Sequence, residues 1–99
     1  MHARVSTYQG SAESIERSIE QGEELLPVIR SMDGSRGFFF LVDRGSGKSI
    51  SITLWETESA MKASEEAANR LRRDSAEASG ESITGVERYE VAEIQVDQA

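Results

Sequence analysis

A single tryptophan stands where a strand is expected to meet a helix, and it is the side chain of this 99-residue chain best placed to form a site. Trp55 ends a strand on its polar parity and comes just before a helix. An aromatic wall between a strand end and a helix is typical of a small-ligand pocket. We expect Trp55 to line such a pocket with Tyr8, Met61 and Tyr89 as neighbours. A place at the rim of the core is the structural alternative.

The composition removes several kinds of chemistry. There are no cysteines, and the only histidine, His2, lies in a terminus that we expect to be frayed. Disulfides, thiolate catalysis and ordinary zinc sites are therefore excluded, and no metal site is expected. Acidic pairs such as Glu65-Glu66 are interpreted as solvated helix faces. The catalytic residues, including a general base, remain unknown at this level.

A glycine-rich segment invites a phosphate-binding interpretation that its context excludes. Gly45-Ser46-Gly47-Lys48 resembles the end of a P-loop, but Val42 stands where that motif needs its first glycine. A strand follows the lysine, whereas phosphate binding needs the amides of a helix. The segment is predicted to be a hairpin turn.

Three consecutive phenylalanines, Phe38, Phe39 and Phe40, suggest an RNA-binding sheet that stacks bases on aromatic rings. The strand order is wrong for that class, because a further strand separates them from the second helix. The protein also has a net charge of −7 and a pI of about 4.7, so at neutral pH it repels a phosphate backbone. We expect no nucleic-acid partner, and we assign the three residues to the core or to a dimer interface.

The order of elements predicts the fold class. Strand signals cover residues 3–8, both arms of a hairpin over 36–57, and one strand or strand pair within 83–96. A helix begins after Ser11, with a break or kink expected between Gly22 and Pro27. A second helix is capped by Thr57 or Ser59 and ends near Gly80. The pattern βαββαβ predicts a ferredoxin-like α+β plait with an antiparallel sheet and both helices on one face.

This architecture leaves one face of the sheet bare in a single copy. Only 37% of the residues are hydrophobic, and the strand around Phe38–Val42 is apolar on both parities. A small domain with so little apolar material often needs oligomerisation, a metal or disulfides. Because metals and disulfides are excluded, we expect a homodimer.

Residues 54–61, Leu-Trp-Glu-Thr-Glu-Ser-Ala-Met, resemble the antibiotic biosynthesis monooxygenase family, in which a strand ending in Trp-Glu-Ser/Thr runs into a helix. The preceding hairpin, with Gly37–Val42, Asp43-Arg44 and Gly47-Lys48, is also similar to that of actinobacterial members. The resemblance covers most of the chain. It implies a dimeric α+β barrel in which two sheets pack face to face.

The resemblance implies activities as well as a fold. The haem-degrading branch uses an asparagine on the first strand, a tryptophan on the third strand and a histidine on the second helix. Trp55 matches the tryptophan, but the first strand offers only Ser6 or Thr7 and the second helix has no histidine. Haem degradation is therefore disfavoured. The other branch needs no cofactor and oxygenates small aromatic or quinol compounds. We expect either such a monooxygenase or a non-catalytic module of the same fold that binds a small ligand or a protein.

Length and hydropathy set the remaining expectations. Residues 1–99 form one domain. No run approaches the roughly 18 apolar residues of a membrane span, and the N-terminus lacks the apolar run of a signal peptide. We expect no membrane association and a cytoplasmic location.

Overall fold

The computed structural model describes residues 1–97. It contains four strands and three helices within that range, in the order β1 (His2–Gln9), α1 (Ala12–Ser31), β2 (Ser35–Asp43), β3 (Lys48–Trp55), α2 (Glu58–Ala63), α3 (Glu65–Ser79) and β4 (Ser82–Glu90). The strands form one antiparallel sheet in the order β2-β3-β1-β4. This topology confirms the predicted ferredoxin-like plait. Within the described residues, no helix is long and apolar enough to cross a membrane.

Helix α1 runs through Pro27 without interruption, so of the predicted break or kink the break is wrong. Its first turn is closed by a capping box in which Ser11 and Ser14 bond to each other's backbone amides. Pro27 lies inside the helix on its exposed side. A proline costs one backbone hydrogen bond, and the packing of the buried side of the helix, where Ile15 is fully buried, outweighs that loss.

The predicted second helix is divided in two at Ser64. Thr57 caps α2 as expected, accepting a hydrogen bond from the Ala60 amide. The Ser64 hydroxyl donates to the carbonyl of Met61, and a local side-chain bond of this kind competes with the regular helix. Gly80 ends α3 in the left-handed conformation, as predicted.

Both ends of the chain differ from expectation. His2 begins β1 and pairs with Trp55 and Glu90, so the N-terminus is not frayed. Strand β4 ends at Glu90, and residues 91–97 have no regular secondary structure, although Ile94 and Val96 were assigned to a strand. The side chains of Ile94 and Val96 are exposed.

The β2–β3 connection is the predicted hairpin turn. Asp43 accepts hydrogen bonds from the amide of Gly45 (3.1 Å) and the hydroxyl of Ser46 (2.9 Å). Those bonds, with the Ser46 bond the strongest, hold the pKa of the Asp43 carboxyl below its usual range. Gly47 adopts a φ of +76°, which a glycine allows at little cost.

The more polar of the two alternating sets of side chains on β3 faces the helices. Ser51, Thr53 and Trp55 of β3 line a cavity under α1 and α3. Ile50 and Ile52 alternate with them and therefore point to the other face. Among residues 1–97 no helix covers that second face, which exposes 39% of Phe39 and 49% of Leu41. The apolar side chains of Ile50 and Ile52 on β3 thus point away from the helices.

Candidate functional site

A cavity of about 90 Å³ lies between the sheet and helices α1 and α3, and it is open on one side. Its aromatic walls come from Trp55, Phe38, Phe40 and Tyr8. Trp55 is almost fully buried, and the rings of Phe38 and Phe40 stack with centroids 6.5 Å apart and planes 7° from parallel. Small helix residues such as Ala68 and Ala76 leave the space above the sheet unfilled.

The floor of the cavity is polar. Ser6, Ser51 and Thr53 present hydroxyl groups from β1 and β3. Tyr8 shares a hydrogen bond of 3.1 Å with Ser51, and the indole N–H of Trp55 donates to the hydroxyl of Thr53 at 2.9 Å. These bonds fix the orientation of both aromatic side chains, as a binding site requires.

Arg4 is the most deeply buried charge of the cavity, with 2% of its surface exposed. Its Nη2 donates to the carbonyl oxygen of Met61 (2.6 Å) and to Oε2 of Glu65 (2.8 Å). Its Nε–H is also buried and has no hydrogen-bond partner within residues 1–97. Burial, followed by repulsion from Arg72 and Arg88, lowers the pKa of Arg4 to about 10, so Arg4 is charged at neutral pH.

Arg72 brings a second positive charge to the cavity from α3. Its Nε donates to the hydroxyl of Ser6 (3.0 Å), and its Nη1 donates to the side-chain oxygen of Asn69 (2.7 Å). Neither partner is charged. Across residues 1–97, no carboxylate lies within ion-pair distance of Arg72.

Glu81 supplies a carboxylate to the lining at the other end of the cavity. Its Oε2 lies 3.5 Å from the hydroxyl of Ser49, near the start of β3. Trp55 lies at the end of that strand, six residues further on, a separation of about 20 Å at the usual rise. Arg4 pairs with Thr53 and therefore lies toward the Trp55 end of the cavity, whereas Glu81 lies at the other end. We call these the arginine end and the carboxylate end.

The cavity opens between α1 and β2. A second, apolar recess begins there and shares Gly22, Phe38 and Phe40 with the cavity. No heavy atom lies within 4 Å of the position that a Cβ on Gly22 would take. Gly22 thus marks an unobstructed mouth.

The structure brings together some of the residues predicted for the pocket. Trp55 and Tyr8 line the cavity, whereas the side chain of Met61 is buried outside the lining. Tyr89 lies on the opposite face of the sheet and is half exposed, because its neighbour Arg88 takes the helix-facing parity and reaches Glu65. Glu87 accepts a hydrogen bond from the Tyr89 hydroxyl, which raises the pKa of that phenol.

The phenylalanines divide between the two faces. Phe38 and Phe40 line the cavity, and Phe39 lies on the open face. The prediction missed Arg4, Arg72 and Glu81. A signal existed on β1, where Arg4, Ser6 and Tyr8 alternate with the smaller apolar residues of the other parity.

A metal centre has no obvious place in the described part of the chain. Residues 1–97 contain no group of three or more histidine, aspartate or glutamate side chains that could hold a metal ion.

Comparison with known sequences finds uncharacterised relatives. No protein-family model matches the chain. The uncharacterized protein Rv2557 of Mycobacterium tuberculosis is 37% identical over 98 residues, which cover 98% of this chain and 43% of the relative. Rv2558 of the same organism is 34% identical over 73 residues, which cover 73% of this chain and 31% of the relative. The chain thus spans less than half the length of the curated relatives it matches.

Comparison with solved structures identifies the fold. SnoaB, a cofactor-independent oxygenase from Streptomyces nogalater, matches at a TM-score of 0.74 and 8% identity over 97% of each chain. The ActVA-Orf6 monooxygenase of Streptomyces coelicolor, solved with nanaomycin D, matches at 0.73 and 12% identity over 98% of this chain and 92% of its own. The heme-degrader MhuD of M. tuberculosis, solved with two hemes, matches at 0.66 and 17% identity over 98% and 100%. The chain therefore has the fold of the antibiotic biosynthesis monooxygenase-type proteins.

Proposed function

We propose that the chain is a homodimeric, cofactor-free monooxygenase acting on a small aromatic or quinol compound. The cavity between sheet and helices carries this proposal, because it combines aromatic walls at Trp55, Phe38 and Phe40 with a hydroxyl floor and ionised groups. The likeness in fold to SnoaB and ActVA-Orf6 supports it.

Such a reaction needs no resident oxidant besides oxygen. A phenol or quinol in its keto tautomer has an activated CH₂, and loss of one proton from that carbon gives a carbanion that can reduce oxygen itself. The overall change converts CH₂ and O₂ into C=O and H₂O. The protein then has to hold the ring, exclude water and accept a proton. Glu81 is the carboxylate that the cavity offers as acceptor.

Haem chemistry fits this site poorly. The only histidine, His2, is absent from the cavity lining, and the hydroxyl of Tyr8 is engaged by Ser51. The cavity thus lacks the proximal histidine on which many haem proteins depend.

The homodimer forms part of the same proposal. Phe39, Leu41, Ile50 and Ile52 lie together on the sheet face that no helix covers. A contiguous apolar face of this kind marks an interaction surface. A second copy packed sheet against sheet would cover it and give the barrel expected from the sequence. The cytoplasmic location predicted from the sequence also belongs to the proposal, and cell fractionation tests it.

Oxygen uptake tests the catalytic proposal. We expect the purified protein to consume oxygen with at least one member of a panel of anthrones, naphthols and benzoquinols. Trp55→Phe keeps an aromatic ring but loses the N–H bond to Thr53, so we expect slower uptake from a folded protein. Lys62→Ala, on the exposed side of α2, is the matched control and should leave uptake unchanged. Absence of uptake across the panel would contradict the catalytic proposal.

A non-catalytic ligand-binding module is the second candidate. The hydroxyl groups of Tyr8 and Ser51 share one hydrogen bond, which leaves one of the two O–H groups to donate to a ligand. Saturable binding of a panel compound without oxygen uptake would favour this candidate. A protein partner on the uncovered sheet face is a further form of it, and a monomer in solution would favour that form.

A further inference from the structure

We propose that the cavity selects its aromatic ligand as an anion, with the negative oxygen held between Arg72 and the free Nε–H of Arg4. The chemical class is an oxygen anion conjugated to an aromatic ring, such as an aryl carboxylate or a phenolate. This inference rests on the proposed use of the cavity as the ligand site, and it adds the ionisation state and the residues that recognise it.

The first observation is an excess of positive charge. Arg72 and Arg88 each lie close enough to Arg4 to repel its guanidinium, and after burial this repulsion contributes to the lowered pKa of Arg4. Glu65 serves two of them, since it pairs with both Arg4 and Arg88. Arg72 has no carboxylate partner among residues 1–97. In a chain of net charge −7, this cluster is a local exception whose excess positive charge one further anion would reduce.

The second observation is an unused buried donor. Arg4 lines the cavity with only 2% of its surface exposed, and its Nε–H has no hydrogen-bond partner among residues 1–97. A buried donor without an acceptor costs free energy, and a ligand oxygen is the acceptor that would relieve it. Hydrogen bonds from a charged donor to an anionic oxygen are stronger than neutral ones.

The third observation is that hydrogen bonds fix the orientation of the Arg72 guanidinium before any ligand binds. Ser6 and Asn69 hold its Nε and Nη1, which fixes the plane of the guanidinium beside the cavity floor. Its Nη2 can then donate to a ligand. A guanidinium held in this way recognises a planar carboxylate or phenolate at little further entropic cost.

The single carboxylate of the lining does not cancel this charge. Glu81 makes no ion pair with Arg72 and lies toward Ser49, whereas Arg72 lies at Ser6, which pairs with Ser51. Ser49 and Ser51 are one strand repeat apart, about 7 Å. The ligand anion is therefore directed to the arginine end.

The rest of the ligand has an apolar path. The cavity volume of about 90 Å³ is smaller than the closed cavity of about 150 Å³ that holds benzene in an engineered protein. The oxygen-bearing end of a ring compound fits inside, and the remainder extends past Phe38 and Phe40 into the recess at Gly22.

Matched neutral and anionic probes test the proposal by binding alone, with the quenching of Trp55 fluorescence as the signal. We expect benzoate to bind about tenfold or more tightly than the neutral benzamide. Arg72→Gln should remove that preference, and Arg72→Lys should keep part of it. Arg73→Gln, an exposed neighbour on α3, should change neither affinity. Glu81→Gln should tighten benzoate binding, because it removes the one negative group of the lining.

4-Nitrophenol separates phenolate from carboxylate recognition, because its absorption reports its own ionisation. We expect it to bind as the phenolate with its apparent pKa lowered, and Arg72→Gln should abolish that lowering in a protein whose circular dichroism is unchanged. If only one of the two anions is favoured over its neutral form, the class narrows to that anion. Two results would overturn the proposal. One is equal affinity for benzoate and benzamide together with binding of nitrophenol as the neutral phenol. The other is no binding of any probe at millimolar concentration. Neither result depends on oxygen uptake, so the catalytic proposal is judged separately.

Discussion

The guanidinium of Arg4 lies over the indole ring of Trp55, 5.5 Å from the ring centroid. The two residues stand at opposite ends of the chain's first half, and the sheet brings them together because β1 pairs with β3. A cation over an aromatic face is attracted by the ring quadrupole, and more strongly so when water is excluded. The contact couples the buried charge of Arg4 to Trp55 in the cavity wall. The Glu65 carboxylate compensates that charge.

Removing Glu65 should therefore cost more than an ordinary surface substitution. Glu65→Gln leaves the buried charge of Arg4 without its carboxylate, and loss of one partner of a buried pair is strongly destabilising. Because Glu65 is 28% exposed, we expect a loss of about 2 kcal/mol in the free energy of unfolding, below the usual range for fully buried pairs. Urea denaturation measures it. Glu66→Gln, the exposed neighbour, should change the free energy of unfolding by less than about 0.5 kcal/mol; equal effects would contradict the assigned role.

The fold was predictable because few topologies satisfy its element order. Strand, helix and hairpin signals were strong enough to give βαββαβ, and the handedness of the crossovers places both helices on one face. The division of the second helix was not predictable, since it depends on the Ser64 hydroxyl, which also accepts from Arg4. That contact exists only in the folded chain.

The candidate site was predictable in its aromatic part only. Trp55 and Tyr8 were identified because an aromatic side chain near a strand end is expected to be buried. Phe38 and Phe40 were assigned to the core or to a dimer interface, and the structure places them in the cavity wall. The arginines were overlooked because charged residues are normally solvated. The assignment of Tyr89 to the pocket was wrong. The register of β4 relative to β1 determines which face of the sheet Tyr89 occupies, and the sequence does not give that register.

The mouth of the cavity can be closed from Gly22. Gly22→Leu places a side chain into open space at the recess, so we expect the affinity for aromatic probes to fall while the fold is kept. Gly22→Ala should stabilise the protein by about 0.5–1 kcal/mol, because glycine inside a helix is unfavourable. Titration by tryptophan fluorescence and thermal denaturation measure the two effects. Glu20→Leu, on the exposed side of α1, is the control; if it weakens binding equally, the mouth lies elsewhere.

The uncovered sheet face should control the oligomeric state. Phe39→Glu introduces a charge opposite Ile52 on β3, and a carboxylate cannot be buried cheaply at a sheet-to-sheet contact. We expect a dimer to become a monomer at micromolar concentration in analytical ultracentrifugation. Arg36→Glu, on the exposed rim of the same strand, should leave the dimer intact. A wild-type protein that sediments as a monomer would remove the dimer from the proposed function.

The hairpin turn should make stability depend on pH in the acid range. The pKa of Asp43 is lowered in the folded state, so its ionised form is favoured by folding. Its contribution is therefore present above the ordinary aspartate pKa and is lost as the pH falls through the lower, folded value. Asp43→Asn should reduce the urea midpoint at pH 7, with a difference from wild type that shrinks toward pH 2. Ser46→Ala removes one of the donors and should shift the same acid limb; a difference that stays constant with pH would contradict the explanation.

The same turn contains a matched pair of glycines with opposite expectations. A Cβ on Gly47 would lie 2.2 Å from the carbonyl oxygen of Gly10, and the φ of +76° is itself unfavourable for alanine. A Cβ on Gly45 would meet only the Asp43 carboxylate, at 3.4 Å. We expect Gly47→Ala to lower the free energy of unfolding by about 2 kcal/mol, since it adds strain and disturbs the 2.9 Å bond from the Gly10 amide to the Gly47 carbonyl. Gly45→Ala should change it by less than about 1 kcal/mol. Chemical denaturation of both variants decides the point, and equal losses would show that the turn is not held by this backbone contact.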